Sequence, residues 1–121
     1  MAWPTYLLEL FSLDGRVAVV TGGSSGIGRA IAGALARAGA SVAVIARTEA
    51  DLVATVDELA AEGCRAAWVS ADLSTRDGVR AAAEQAAAVC GEPDILVNCA
   101  GSTCGRRWAR WASKCGTRRW R

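Results

Sequence analysis

From residue 17 to residue 98 the chain alternates short, wholly apolar runs with longer stretches in which apolar residues recur every three or four positions. Val17-Ala-Val-Val20 reads as a strand ending at Thr21, and a helix follows from about Gly26 to Ala38 with Ile27, Ile31, Leu35 and Ala38 on one stripe. Val42 to Ala46 reads as a second strand, and the next helix, from about Glu49 to Glu62, carries Leu52, Val53, Val56, Leu59 and Ala60 on its apolar face. Ala66 to Ala71, about Thr75 to Val89, and Ile95 to Asn98 supply a third strand, a third helix and a fourth strand. Gly39 and Gly63 close the first two helices, as a left-handed cap prefers. Thr48-Glu-Ala-Asp51 and Ser74-Thr-Arg-Asp77 resemble capping boxes with Asp where Glu is usual. Strands that are apolar on both faces, alternating with amphipathic helices, predict an α/β fold with a doubly wound parallel sheet. Residues 1 to 12 read as an apolar leader, a short helical turn or arm lying on that sheet.

The link between the first strand and the first helix carries the chemistry. Thr21-Gly-Gly-Ser-Ser-Gly-Ile-Gly28 sits between them. A strand delivers the chain to a tight turn, glycines let the backbone approach a pyrophosphate with no Cβ in the way, and the helix points its free N–H groups and positive dipole end at the anion. The spacing departs from G-x-G-x-x-G, because Ile31 stands where the third glycine would fall, and fits T-G-x-x-x-G-x-G instead.

That form resembles the short-chain dehydrogenase/reductase family, and three further segments carry the resemblance in the same order over residues 13 to 101. They are Leu13-Asp-Gly-Arg-Val-Ala-Val-Val-Thr-Gly22 at the first strand, Asp72-Leu73 after the third, and Asn98-Cys-Ala-Gly101 after the fourth, where the family usually reads Asn-Asn-Ala-Gly. The resemblance implies a Rossmann-like fold and an NAD(P)(H)-dependent oxidoreductase interconverting a secondary alcohol and a ketone. Carried over by residue, Gly22, Gly26 and Gly28 supply the turn and the close approach, and Ser24, Ser25 and Ile27 face the phosphates. Asp72 and Leu73 flank the adenine ring. Asn98, Ala100 and Gly101 line the central ribose, and the Asn98 side chain ties neighbouring strands together, with Cys99 replacing the second Asn of that tie. At the end of the second strand, where an acid would accept from a ribose 2′-hydroxyl, Val44-Ile-Ala-Arg47 offers Arg47. A guanidinium pairs with a 2′-phosphate, so NADP(H) is favoured over NAD(H). Read without a ligand, Arg47 is a solvated residue at a strand exit, and Asp72 is an acid capping the next helix.

Composition limits the function further. A complete enzyme of this kind needs roughly 250 residues, so 121 are expected to form its cofactor-binding half, truncated after the fourth strand. Five cysteines without a C-x-x-C pair, and no histidine, argue against a disulfide framework and against a metal site; Cys64, Cys90 and Cys99 read as small buried hydrophobes. Glu9 and Asp14 interrupt the apolar start, no run approaches membrane-spanning length, and a cytoplasmic location follows by default. The net charge of +2 conceals a division: residues 1 to 101 hold seven Arg and twelve acids, a net of −5, while residues 102 to 121 hold six Arg and one Lys, a net of +7.

The family transfers the alcohol proton through a tyrosine whose pKa is lowered by a lysine four residues on. Here the one tyrosine is Tyr6, followed four residues later by Leu10, and the one lysine is Lys114. No catalytic residue is therefore assigned, and the chain alone is expected to be inactive, without the family's substrate pocket or oligomer interface. Residues 102 to 121 interleave Arg with Trp and contain no Leu, Ile, Val, Asp or Glu, which reads as an out-of-frame segment. The alternative is a non-catalytic dinucleotide- or polyanion-binding module whose tail meets phosphates, bases or an anionic membrane surface. The expected partner is the dinucleotide cofactor, and nucleic acid is not an expected partner.

Overall fold

The structure, a computed structural model, describes residues 5–101, so the basic segment lies outside the described residues. Its elements are α1 (Thr5–Phe11), β1 (Val17–Thr21), α2 (Gly26–Arg37), β2 (Ser41–Ala46), α3 (Glu49–Ala61), β3 (Ala66–Ser70), α4 (Arg76–Cys90) and β4 (Ile95–Asn98). The four strands form one parallel sheet in the order β3-β2-β1-β4. The chain winds outward from β1 through β2 to β3 and then returns to the other side of β1. That reversal places a topological switch point between β1 and β4, at whose carboxyl ends an α/β sheet opens a crevice.

Alternate residues of the inner strands point to opposite faces, and each face has its own core. Ala18, Val20, Val42 and Val44 pack with Ala32 and Ala36 of α2 and with Leu52 and Leu59 of α3. Val19, Ala43, Ile45 and Val69 pack on the other face with Ala82 and Ala86 of α4. The result is the three-layered, Rossmann-like sandwich that the apolar runs of β1 and β2 require.

The local chemistry departs from expectation in four places. On α2 the buried positions are Gly28, Ala32, Gly33 and Ala36, whereas Ile27 is 78% exposed and Ile31, Leu35 and Ala38 are only half-buried. Small residues meet the sheet because the helix lies close against it, and the larger side chains splay to its flanks. On α3, Thr55 replaces Ala60 in the buried set; its hydroxyl donates to the Asp51 carbonyl at 2.8 Å, so a polar group enters the core already satisfied. Neither capping box forms as read. Thr48 makes no side-chain cap bond, and the cap of α4 is Thr75, one residue late, whose hydroxyl accepts from the Gly78 N–H at 3.1 Å. Finally, α1 buries none of its residues and lines a groove with Arg37 and Ala38 at the end of α2 rather than lying on the sheet.

β4 is fastened at its entry by Asp94. Its carboxylate accepts from the Val17 N–H at 2.9 Å and pairs with Arg16 at 3.3 Å, while its own N–H donates to the Val17 carbonyl at 2.8 Å. The bond from Val17, then the Arg16 guanidinium, hold the Asp94 pKa below its ordinary value. A depressed folded-state pKa stabilises fully above the unfolded-state value and is lost as the pH falls through the folded-state value. Asp94→Asn is therefore expected to flatten the acid limb of the stability curve below about pH 4 in urea titrations. Leu52 of α3 is fully buried in the core that α2 and α3 form with the sheet, and Leu52→Ala is expected to cost about 3 kcal/mol in the same measurement.

Candidate functional site

The crevice at the carboxyl end of the sheet begins with the end of β1. Thr21 is 9% exposed, and its hydroxyl joins β1 to β4 by donating to the Val97 carbonyl at 3.4 Å and accepting from the Ala100 N–H at 3.1 Å. Backbone bonds run alongside, from the Cys99 N–H to the Thr21 carbonyl at 3.2 Å and from the Gly22 N–H to the Ile45 carbonyl at 2.7 Å. The strand tie expected of Asn98 is thus made by Thr21 among the described residues, since Asn98 stands beside Thr21 in the register but is exposed.

Two glycines are set by the chain's own packing. Gly22 has φ +68°, and a Cβ there would lie 2.8 Å from the Ala100 nitrogen. A Cβ on Gly28 would lie 2.1 Å from the Gly22 carbonyl oxygen. The first turn of α2 is pressed against the end of β1, and no side chain fits between them.

The cleft that results has a volume of about 760 Å³. Gly22, Ser24, Ser25, Ile27 and Gly28 line it from the β1–α2 turn, where the first N–H groups of α2 emerge. Ile45, Ala46, Arg47, Thr48 and Asp51 line it from the β2–α3 connection. Ala71, Asp72, Leu73 and Ser74 follow from the end of β3, and Cys99, Ala100 and Gly101 from the end of β4. The fold thus gathers ten of the twelve residues proposed from sequence around one opening. Gly26 and Asn98 do not line it: Gly26 has φ +56° and sits at the exposed start of α2.

The lining residues that the sequence reading did not assign as binding residues are Thr48, Asp51, Ser74 and Cys99, with apolar Ile45, Ala46 and Ala71. Thr48, Asp51 and Ser74 were legible only as capping residues. Cys99, like Cys64 and Cys90, is half-buried rather than buried, and burial raises the Cys90 thiol pKa. Asp72 is exposed, and its carboxylate accepts from the Ser74 N–H at 2.9 Å. The Ser74 backbone and hydroxyl, followed by the nearby Arg47 charge, lower its pKa and keep it anionic at neutral pH. Among the described residues no group of His, Cys, Asp and Glu could hold a metal ion, and no helix is long and apolar enough to cross a membrane.

A parallel sheet ordered β3-β2-β1-β4, with a glycine turn and a helix N-terminus opening on its switch point, defines a Rossmann-like nucleotide-binding fold. Residues 16–118 match the short chain dehydrogenase family, and the chain belongs to that family. A short chain dehydrogenase from Pseudocercospora fijiensis is 49% identical over 102 residues, which is 83% of this chain and 33% of that protein. L-Sorbose reductase from Gluconobacter frateurii, solved with NADPH and L-sorbose, superposes with a TM-score of 0.72 at 41% identity, covering 76% of this chain and 35% of the reductase. A blue fluorescent protein from a metagenomic library, solved with NADPH, gives a TM-score of 0.70 at 45% identity over 75% of this chain and 38% of its own. The chain spans about a third of the length of the curated relatives it matches.

Thr21→Val keeps the shape and removes both hydroxyl bonds, leaving the Ala100 N–H without its partner. Urea denaturation is expected to show a loss of about 1–3 kcal/mol, whereas Thr21→Ser stays close to the parent.

Proposed function

We propose that the cleft holds NADP(H), and that this chain is the cofactor-binding half of a short-chain oxidoreductase acting between a secondary alcohol and a ketone. The observation that carries the reading is the exit of β2, where Ala46 and Arg47 line the cleft and no acid occupies the strand end. Arg47 would pair with a 2′-phosphate, and an acid in its place would repel one. The backbone around Ser24, Ser25 and Ile27, at the N-terminus of α2, would receive the diphosphate. Asp72 and Leu73 would flank the adenine, with Asp72 already oriented by Ser74. Ala100 and Gly101, held to β1 through Thr21, would border the ribose.

Supporting the choice of cofactor, the L-sorbose reductase and the blue fluorescent protein were both solved with NADPH. When bound, the nicotinamide supplies or accepts a hydride. The 121 residues contain no Tyr-x-x-x-Lys pair, so the accompanying proton transfer is not assigned to any of them. Among the described residues Cys64, Cys90 and Cys99 are free thiols, which suits a reducing cytoplasmic setting.

Titration with reduced nucleotides, followed by nicotinamide fluorescence, tests the reading. NADPH is expected to bind more tightly than NADH, and Arg47→Ala is expected to weaken NADPH by about tenfold or more while leaving NADH within about twofold. Equal losses for both nucleotides would remove Arg47 from the 2′-phosphate, and binding of neither would overturn the assignment.

A further inference from the structure

We infer that Asp51 is a specificity-determining residue of the cleft: its charge opposes a 2′-phosphate and limits how far NADP(H) is preferred over NAD(H). The inference rests on the nicotinamide-dinucleotide reading of the site. Among the described residues the cleft is lined by one cation, Arg47, and by two carboxylates, Asp51 and Asp72. The pocket that would receive a phosphate dianion is therefore net negative before any ligand enters.

The two acids are not equivalent. Asp72 is engaged by Ser74, at the end of β3. Asp51 lies in the first turn of α3, four residues beyond Arg47, and among the described residues its carboxylate accepts no hydrogen bond and joins no ion pair. Thr48, the N-cap of the same helix, leaves the first-turn N–H groups without a side-chain acceptor. Asp51 thus stands at the positive end of α3, where a phosphate held by Arg47 would also be drawn, and competes with it for the same field. NAD(H) brings no charge to that point, so the effect is confined to the phosphorylated cofactor.

A matched pair of substitutions isolates the role. Glu49 is the other acid in the first turn of α3, exposed like Asp51, but it does not line the cleft. Glu49→Gln and Asp51→Asn remove the same charge from the same helix end. Dissociation constants for NADPH and NADH would be measured on the full 121-residue chain at low salt and again at 0.5 M salt, beside a melting curve for each variant. Asp51→Asn is expected to tighten NADPH by about threefold to tenfold and to leave NADH within about twofold, with the gain shrinking at high salt. Glu49→Gln is expected to change the melting curve as Asp51→Asn does and to leave the ratio of the two constants alone. The inference fails if both variants shift NADPH alike, if Asp51→Asn moves NADPH and NADH in parallel, or if it moves neither. Should the parent chain bind neither nucleotide, the reading of the site fails and the inference with it; NADPH binding with an unchanged ratio in Asp51→Asn defeats the inference alone.

Discussion

The approach of backbone to backbone at the end of β1 governs the site. Gly28 leaves no room for a Cβ beside the Gly22 carbonyl, and Gly22 leaves none beside the Cys99–Ala100 peptide. The β1–α2 turn and the first turn of α2, adjacent in sequence, and the exit of β4, some seventy residues further on, are brought within van der Waals reach by the absence of side chains. The Thr21 hydroxyl then fixes their spacing with one bond to each side of the β4 exit. If that contact loosened, the N-terminus of α2 would no longer be aimed into the crevice between β1 and β4. The sheet could survive such a change, because its two cores lie toward the middle of the strands.

Charge is distributed on this frame with little redundancy. The exposed pairs Arg37 with Glu62 and Arg29 with Glu58 link α2 to α3 outside the cleft, and exposed pairs of this kind contribute little. Within the cleft, Arg47 is the sole cation among the described residues. Its position follows from the register of β2, which ends at Ala46 and delivers the next residue to the opening. Asp51, on the same connection as Arg47, and Asp72, after β3, set the field in which that guanidinium acts.

Much of this was legible in the amino-acid pattern. The apolar runs of β1 and β2 marked buried central strands, and the glycine-terminated stripes located α2 and α3 to within a residue or two of their ends. The T-G-x-x-x-G-x-G spacing, Arg47, Asp72-Leu73 and Ala100-Gly101 were visible because each follows directly on a strand, and every strand of a parallel sheet discharges at the same edge. Packing detail was hidden. Ile27 looked like a core residue by its spacing yet is exposed, because α2 approaches the sheet through alanine and glycine. Asn98 looked like the strand tie, while the hydroxyl with the right reach belongs to Thr21. Thr48, Asp51 and Ser74 looked like caps, since which side of a helix start faces a cleft depends on the rotation of the helix, and sequence spacing does not state it.

The most direct test of the central claim is a backbone amide map of the isotopically labelled chain titrated with NADP⁺. The account predicts that shifts concentrate at four places, Ser24 to Gly28, Arg47 to Asp51, Asp72 to Ser74 and Cys99 to Gly101, and saturate together with one dissociation constant. Shifts that avoid these segments, or that are absent at saturating nucleotide, would contradict it.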